Sequence, residues 1–337
     1  MSRNSTMDLT TGSSAEATAV FFASAGGRDL FQQFYSFADT VMVGRFLGES
    51  ALAAVGTTYS LHFLTLGFVL GACAGFGIPL AQAVGAKDRD EFRRYFWNSV
   101  WLCCLLGVAF TALTYAFAVP MLRLIHTPEE ILPQAASYIR IIFLGIPASI
   151  LYNFCAGALR AAGDSRRPTL FLLVSSLLNI VLDYLLLAVF PLGVVGAALA
   201  TVASQLVSGL LNLYWLASTD LLQSCAGLRG FSRRHAAALF RVGLPMGFEY
   251  SVSAIGAVLL QSAINALGTA AIAGQTAGDK IRQMFTLPME SVGMGMATFV
   301  GRTRVPAATT VSGRHSGRLI IQWIYCAAAW VVLFFGK

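Results

Sequence analysis

The chain has 337 residues, of which 56% are hydrophobic and 12% are charged, and its 23 Lys and Arg exceed its 16 Asp and Glu to give a formal net charge of +7. Soluble domains carry about 25% charged residues, so this composition excludes a soluble globular protein, and its hydrophobicity excludes a disordered chain. The mean hydropathy of +0.69 indicates an integral membrane protein.

The sequence carries no motif for enzymatic chemistry. The six cysteines show no C-x-x-C spacing, the four histidines form no H-E-x-x-H, and there is no P-loop. We therefore expect no enzyme, no cofactor, no metal hydrolysis and no direct use of ATP, with the cysteines as small apolar residues at helix interfaces. The N-terminus also lacks the charged region and clean apolar core of a cleaved signal peptide.

Apolar segments long enough to cross a bilayer, which takes about 20 residues, recur along the chain. We predict nine helices, with approximate limits 18–42, 51–80, 97–120, 136–160, 168–190, 193–217, 238–266, 270–300 and 319–335. The first is weak because Gly26, Gly27, Arg28 and Asp29 interrupt it.

Lys and Arg fall almost entirely on one side of these spans. The loops after the second, fourth, sixth and eighth spans hold fifteen, whereas the opposite loops hold only Arg45 and Arg123. The fifteen are Lys87, Arg89, Arg93, Arg94, Arg160, Arg166, Arg167, Arg229, Arg233, Arg234, Arg241, Arg302, Arg304, Arg314 and Arg318. The positive-inside rule places these loops and the N-terminus in the cytoplasm. Because the charge excess is a topology signal, we expect no nucleic-acid partner.

An internal repeat appears when the chain is compared with itself at an offset of 220 residues. The matching pairs are Leu47 and Leu267, Gly48 and Gly268, Ala51 and Ala271, Ala53 and Ala273, and Gly75 and Gly295. Two similar halves are typical of transporters. We predict an N-lobe over 1–217, a cytoplasmic loop over 218–237, and a partial C-lobe over 238–337.

Several segments, in matching order, carry a resemblance to a known family. They are FQQFYSFADTVMVGRFLGESALAAVG (31–56), ALRAAGDSRRP (158–168), LLNIVLDYLLL (177–187), GVVGAALATVASQ (193–205), QSAINALGTAAIAG (261–274) and FVG (299–301). These segments resemble the MATE family of multidrug and toxic compound extrusion transporters, and its bacterial DinF-like branch most. The resemblance covers roughly residues 30–301.

The resemblance implies an all-α integral membrane protein with a MATE-type bundle, made of a complete six-helix N-lobe and about three helices of a partial C-lobe. It implies export of drugs and toxic organic cations by antiport with Na⁺ or H⁺ through alternating access. The expected location is a bacterial inner or plasma membrane. The expected partners are small-molecule drugs and membrane lipid, and no oligomeric state is specified.

Three departures from the family pattern lead us to expect a truncated chain. The sequence ends at Lys337, inside what would be the ninth helix of the family. Residues 14–29 lack a Leu-Pro-Leu pattern, and residues 302–318 lack the Q-N-x-G-A-G pattern that follows FVG in the family. Suitable codons for residues 302–314, read one base earlier, restore such a pattern. We therefore hypothesise local frameshifts, which the DNA sequence read in all frames would test.

Polar residues inside the predicted spans are the candidate cation site. Ionisable groups at mid-membrane cost about 2.5–3.5 kcal/mol on insertion scales and therefore face the bundle interior. Asn179 and Asp183 share one helix face, and with Asp39 and Thr201 they offer the oxygens that Na⁺ needs or the carboxylates that carry a proton. The resemblance implies the same four positions, with no other metal. Helix–helix hydrogen bonding is the alternative.

A second group of residues is the candidate substrate cavity. Phe34, Tyr35 and Phe37 precede Asp39, and aromatic faces attract flat cations, although lipid-facing packing explains these rings equally well. Gln205 lies four residues after Thr201, and some members of the family carry a functional Glu in the seventh helix, where Glu249 lies. The list of candidates is therefore Phe34, Tyr35, Phe37, Gln205 and Glu249.

Other features have structural explanations. Gly67, Gly71 and Gly75 recur every four residues in the second span, which predicts close helix packing. Asp279 and Arg282 are spaced as an i,i+3 ion pair near a helix end.

Three alternative functions are compared with the residues of the spans. A lipid-linked oligosaccharide flippase would need a cationic cavity, whereas few basic residues lie within the spans apart from Arg140, Lys280 and Arg282. A membrane-embedded enzyme would need a catalytic constellation, which we do not find. The third alternative is a non-functional fragment of a transporter.

Overall fold

The computed structural model describes residues 37–86, 88–164, 166–219 and 230–283, except the side chain of Ser253. These residues form helices joined by short connections and include no strand. The helices are α1 (37–47), α2 (Glu49–Gly85), α3 (Arg89–Leu124), α4 (Leu132–Leu144), α5 (Ile146–Ala161), α6 (Arg166–Tyr184), α7 (Val194–Ala217), α8 (Arg233–Asn265) and α9 (269–283). A π-helical turn, Leu185–Val189, continues α6.

The described residues hold up to six candidate membrane spans. Helices α2, α3, α6 with its π turn, α7 and α8 are each long and apolar enough to cross a membrane, and α4 with α5, bent by 43°, gives a sixth if the pair is one broken span. They confirm the second to seventh predicted spans. The first and eighth predicted spans are described only over 37–47 and 269–283. The ninth lies outside the described residues.

Residues Ala38–Thr276 form one compact unit. Phe37 and residues 277–283 are the described part of a second unit, in which Arg282 Nε lies 3.1 Å from Asp279 Oδ1 as the spacing predicts. The predicted division into lobes at 217 and 238 stays a prediction.

Helix α2 lies at the centre of the first unit. In its most apolar stretch 67% of the residues are buried, compared with 28% in α3 and in α6. It packs against α3, α4, α5 and α8, and the core includes Leu61, Phe76 and Leu80. The outer helices expose large apolar side chains such as Val108 and Leu177. Exposed apolar side chains of this kind suit contact with lipid.

The bend between α4 and α5 has a local cause in the sequence. Gly145 separates the two helices, and a Cβ atom there would overlap the side chain of Val202 in α7. Pro147 occupies the first turn of α5, where a missing N–H costs no helical hydrogen bond. The close approach of α7 therefore requires a glycine at the point where the span bends.

The glycines of α2 pack directly against α8, as the four-residue spacing predicts. A Cβ atom added to Gly75 would lie 2.6 Å from Gly243 Cα, and one added to Gly71 would lie 2.8 Å from Gly247 Cα. A Cβ atom added to Gly67 would lie 3.6 Å from Tyr250 Cβ, which is an ordinary contact distance. We call this contact the glycine crossing (Gly67, Gly71 and Gly75 with Gly243 and Gly247). The predicted packing role of these glycines is confirmed.

Candidate functional site

Two acidic side chains meet inside the bundle. Asp39 of α1 is half-buried and Asp183 of α6 is completely buried, and their carboxyl groups lie close enough to interact directly. Two negative charges at this separation in a medium of low dielectric repel each other strongly. The pair therefore requires a shared proton or a bound cation to neutralise one charge.

Asn179 lies one turn before Asp183 on the same face of α6 and is also buried. Its Nδ2 atom has no hydrogen-bond partner in the described residues, and the oxygens of Asp183 have none apart from the neighbouring carboxyl. A buried polar group left unpaired costs about 1–3 kcal/mol. Such groups are retained where they bind something, so the three side chains fit a small polar ligand.

The donor set suits a monovalent cation or a proton. Carboxylate and amide oxygens are hard ligands, as Na⁺ prefers, and the described residues contain no group of three or more His, Cys, Asp or Glu that could hold a metal ion. A proton needs only the two carboxyl groups. The side chains that are present therefore fit either of the two coupling ions expected from the sequence.

A small apolar cluster positions the acid on α1. Val43, one turn after Asp39, is completely buried against Tyr138 of α4 and against Val194 and Ala197 of α7. Leu187 of the π turn belongs to the same cluster. π turns are often found at functional sites. The turn that begins two residues after Asp183 therefore also indicates a functional site at this part of α6.

Helix α7 comes very close to the π turn beside the acid pair. A Cβ atom added to Gly196 would lie 2.8 Å from the backbone oxygen of Leu186. Thr201 lies further along α7 and donates its hydroxyl to Ala197 O at 3.1 Å within its own helix. Its oxygen keeps lone pairs for a cation, so its assignment to the site stays a prediction.

The structure describes three of the five predicted cavity residues. The Oε1 atom of Gln205 accepts a hydrogen bond from the hydroxyl of Ser149, which joins α7 to α5. Glu249 is exposed on α8, and Phe37 is half-buried in the second unit. Phe34 and Tyr35 lie outside the described residues. Their roles in substrate binding stay predictions.

Sequence reasoning found Asn179 and Asp183 on one face of α6 but missed the rest of two polar stripes, through which α6 bonds to α7. The hydroxyl of Ser175 donates to Ser204 O at 2.8 Å, and the hydroxyl of Ser208 donates to Phe171 O at 3.2 Å. The stripes are Ser175, Asn179 and Asp183 on α6, and Ser204, Ser208 and Asn212 on α7. Their regular four-residue spacing could have revealed them, because it places each stripe on one helix face. These bonds join α7 to the part of α6 that precedes Asp183.

Comparisons with known proteins agree on one family. The MatE family model matches residues 26–185. The chain is 29% identical over 295 residues to the probable multidrug resistance protein YpnP of Bacillus subtilis, a match that covers 88% of this chain and 66% of YpnP. It is 30% identical to YoeA of the same organism, with 77% and 58% covered, and 29% identical to NorM of Thermotoga maritima, with 82% and 61% covered. The chain therefore spans less than two thirds of the length of these relatives.

A solved structure of a multidrug resistance MATE family transporter in an inward-facing conformation has the same fold. It is 26% identical, with a TM-score of 0.76 over 90% of this chain and 70% of that one. A MATE structure in complex with MaL6 is 25% identical with a TM-score of 0.72. The matched proteins are transporters rather than enzymes, which agrees with the lack of catalytic motifs. In its family-model match, its relatives and its fold, the chain is similar to transporters of the MATE family.

Proposed function

We propose that this chain forms the cation-coupling part of a secondary multidrug transporter, which exports organic cations and other xenobiotics by antiport with Na⁺ or H⁺. The observation that carries the proposal is the buried carboxyl pair of Asp39 and Asp183 in a bundle of membrane spans. The names of the relatives, which are multidrug resistance proteins, support the substrate class.

The acid pair supplies a mechanism for coupling. With both carboxylates ionised, repulsion between them opposes close packing of α1 against α6. A proton or Na⁺ from the outside removes that repulsion and favours the closed arrangement, and its release restores it. The cation and the drug bind to the two arrangements with different affinities. Inward flow of the cation therefore shifts the protein toward the arrangement that exports the drug.

The charges of the described residues favour cationic over anionic cargo. The buried side chains there include Asp183 but no Lys or Arg. Arg140 and Arg282 are exposed, and Lys280 is half-buried. A flippase for lipid-linked oligosaccharides would need a basic lining for the phosphate groups, so the described part of the chain gives that alternative no support. The buried acids instead attract organic cations.

The proposed location is a bacterial plasma membrane, with the N-terminus in the cytoplasm. Several of the predicted cytoplasmic Arg lie at helix ends that share one side of the bundle, because α2 ends and α3 begins there, and α5 ends and α6 begins there. These residues are Arg89, Arg93, Arg94, Arg160, Arg166 and Arg167. Their arrangement supports the positive-inside assignment.

Cation binding to the purified chain in lipid nanodiscs tests this proposal. Binding of radiolabelled Na⁺, and proton release on addition of Na⁺, are measured for Asp39→Asn and Asp183→Asn. Asp90→Asn is the matched control because Asp90 is exposed and pairs only locally with Arg93 at 3.2 Å. We expect both site variants to lose Na⁺ binding and Na⁺-linked proton release. The Asp90→Asn control should bind Na⁺ and release protons as the unaltered chain does. Unchanged responses in both site variants would refute the assignment.

A further inference from the structure

Helix α8 is attached to the preceding helices at both of its ends and touches them by backbone in between. The central contact is the glycine crossing with α2, where Gly75 and Gly243 meet without intervening side chains. Small residues let two helix backbones approach closely. The rings of Phe76 and Phe68 in α2 lie directly against Gly243 and Gly247. Because these two glycines have no side chain, α8 can turn against the rings without rotamer changes of its own at the contact.

The beginning of α8 is held by polar contacts to α3. The backbone N–H of Ser232 donates to Asn98 Oδ1 at 2.8 Å, and Nε2 of His235 lies 3.2 Å from Glu91 Oε2. The ring of Tyr95 packs edge-on against His235, with 5.0 Å between the ring centroids. Asn98 and His235 are both buried. We call Glu91, Asn98, Ser232 and His235 the inner contact group.

The end of α8 is held by a second set of contacts. Asn265 is buried, donates to Ile125 O at 2.7 Å through Nδ2, and accepts at Oδ1 from Thr57 Oγ1 at 3.2 Å. Nearby, Nδ1 of His126 lies 3.0 Å from Ser262 Oγ. We call Thr57, Ile125, His126, Ser262 and Asn265 the outer contact group.

Both contact groups lie far from the glycine crossing along α8. At 1.5 Å per residue, His235 lies about 18 Å from Gly247 and Asn265 lies about 27 Å from it on the other side. A small rotation at the crossing therefore moves each end of α8 by several ångströms. That movement breaks a few hydrogen bonds at one end while the other end stays closed.

We propose that α8 pivots at the glycine crossing and that the inner and outer contact groups close the two ends of the transport pathway in turn. This inference rests on the proposed transport function, for which it names the closing residues. Weakening one group then shifts the population toward the state that is open at that end. The opposite end becomes less open at the same time, because the two open states exclude each other.

Labelling of buried reporter cysteines in the purified 337-residue chain tests the inference without any need for transport or ion binding. The six native cysteines are replaced by alanine. Ala236→Cys reports on the inner end and Thr58→Cys on the outer end, since both positions are buried beside the contact groups. The reaction rate with a water-soluble maleimide is measured for each reporter.

Three asparagines that are each at most 2% exposed allow a matched comparison. Asn98→Leu weakens the inner group, Asn265→Leu weakens the outer group, and Asn212→Leu changes α7, away from α8. We expect Asn98→Leu to speed inner labelling about three- to tenfold and to slow outer labelling. Asn265→Leu should do the reverse, and Asn212→Leu should change neither rate. Glu91→Ala and Thr57→Val serve as milder variants at the two ends if a leucine variant fails to fold.

The reciprocal change is the decisive observation. Faster labelling at the altered end with no slowing at the other shows local fraying and overturns the pivot. Equal acceleration of both reporters shows general loosening and also overturns it. If labelling is reciprocal but Asp39→Asn and Asp183→Asn keep cation binding, the proposed coupling site fails while the pivoting of α8 stands.

Discussion

At the scale of single residues, the buried Asp183 lowers the stability of the protein but suits the function proposed for it. Its carboxyl group lies next to that of Asp39 and has no other hydrogen-bond partner among the described residues. A protein selected only for stability would not retain such a pair, because an uncompensated buried charge is destabilising. Its presence is the main reason to assign this position to ion coupling.

The stability of the Asp183→Asn variant should show how much free energy of unfolding the buried acid costs. We expect the variant to be more stable than the unaltered chain by about 1–3 kcal/mol in the absence of Na⁺ at an alkaline pH at which both carboxyl groups are ionised, because the repulsion is then removed. The unaltered chain should gain stability when Na⁺ is added or the medium is acidified, since either neutralises one charge, and the variant should respond less. Thermal melting in nanodiscs measures both effects, with Asp90→Asn as the control. A variant that melts lower and keeps the full Na⁺ or acid response would contradict this view.

The sequence predicted the acids of the site better than their partners. Asp39 and Asp183 stand out because ionisable groups are rare inside membrane spans. The bond between Ser149 and Gln205 could not be predicted, because it depends on how α5 crosses α7. Serine is also common in membrane helices as a packing residue, so Ser149 carried no signal by itself.

At the scale of helices, spacing along the sequence predicted contacts well where small residues recur. The three glycines of α2 pack against α8 as their spacing indicates. The 43° bend of the fourth span was not predicted, since a continuous apolar pattern carries no information on helix direction. Pro147 lies just after the bend, but only the packing of Gly145 against Val202 shows why the span bends at that point.

Two glycines of α2 allow a controlled test of this packing. Gly75→Ala places a Cβ atom 2.6 Å from Gly243 Cα, whereas Gly77→Ala meets no atom within 4 Å. We expect Gly75→Ala to destabilise the protein by about 1–3 kcal/mol, because backbone must move to relieve the overlap. Gly77→Ala should stabilise it by up to about 1 kcal/mol, because alanine favours a helix. Unfolding in mixed micelles measures both, and equal effects would show that the crossing is not tight.

At the scale of the whole molecule, the charge bias predicts how the protein lies in the membrane. Cysteines placed singly at 88–94 and at 161–164 should react with impermeant reagents only from the cytoplasmic side, because the positive-inside rule holds these basic loops there. Labelling in intact cells and in inverted vesicles measures this accessibility. A cysteine at 128–130, in the connection between α3 and α4, serves as the control and should react from the outside. Reaction of the basic loops in intact cells would reverse the topology.

Transport by the whole molecule requires a cavity that opens to either side. In transporters built from two similar halves, the substrate site lies between the halves, and each half forms part of its wall. This chain spans 58–66% of the length of the curated relatives described above, and its described residues hold up to six candidate spans. We therefore expect the 337-residue chain alone to give no drug resistance.

A version extended to the length of those relatives, with residues 14–29 and 302–318 replaced by the family pattern, should confer resistance to a cationic dye. The extension supplies the rest of the second wall, so that the acid pair can drive export. The measurement is dye resistance and efflux in a host that lacks its own pumps, at matched membrane levels. Asp39→Asn in the extended version is the control and should abolish efflux. Equal efflux by the 337-residue chain would show that the described spans and the remaining residues of this chain already form a complete transport pathway.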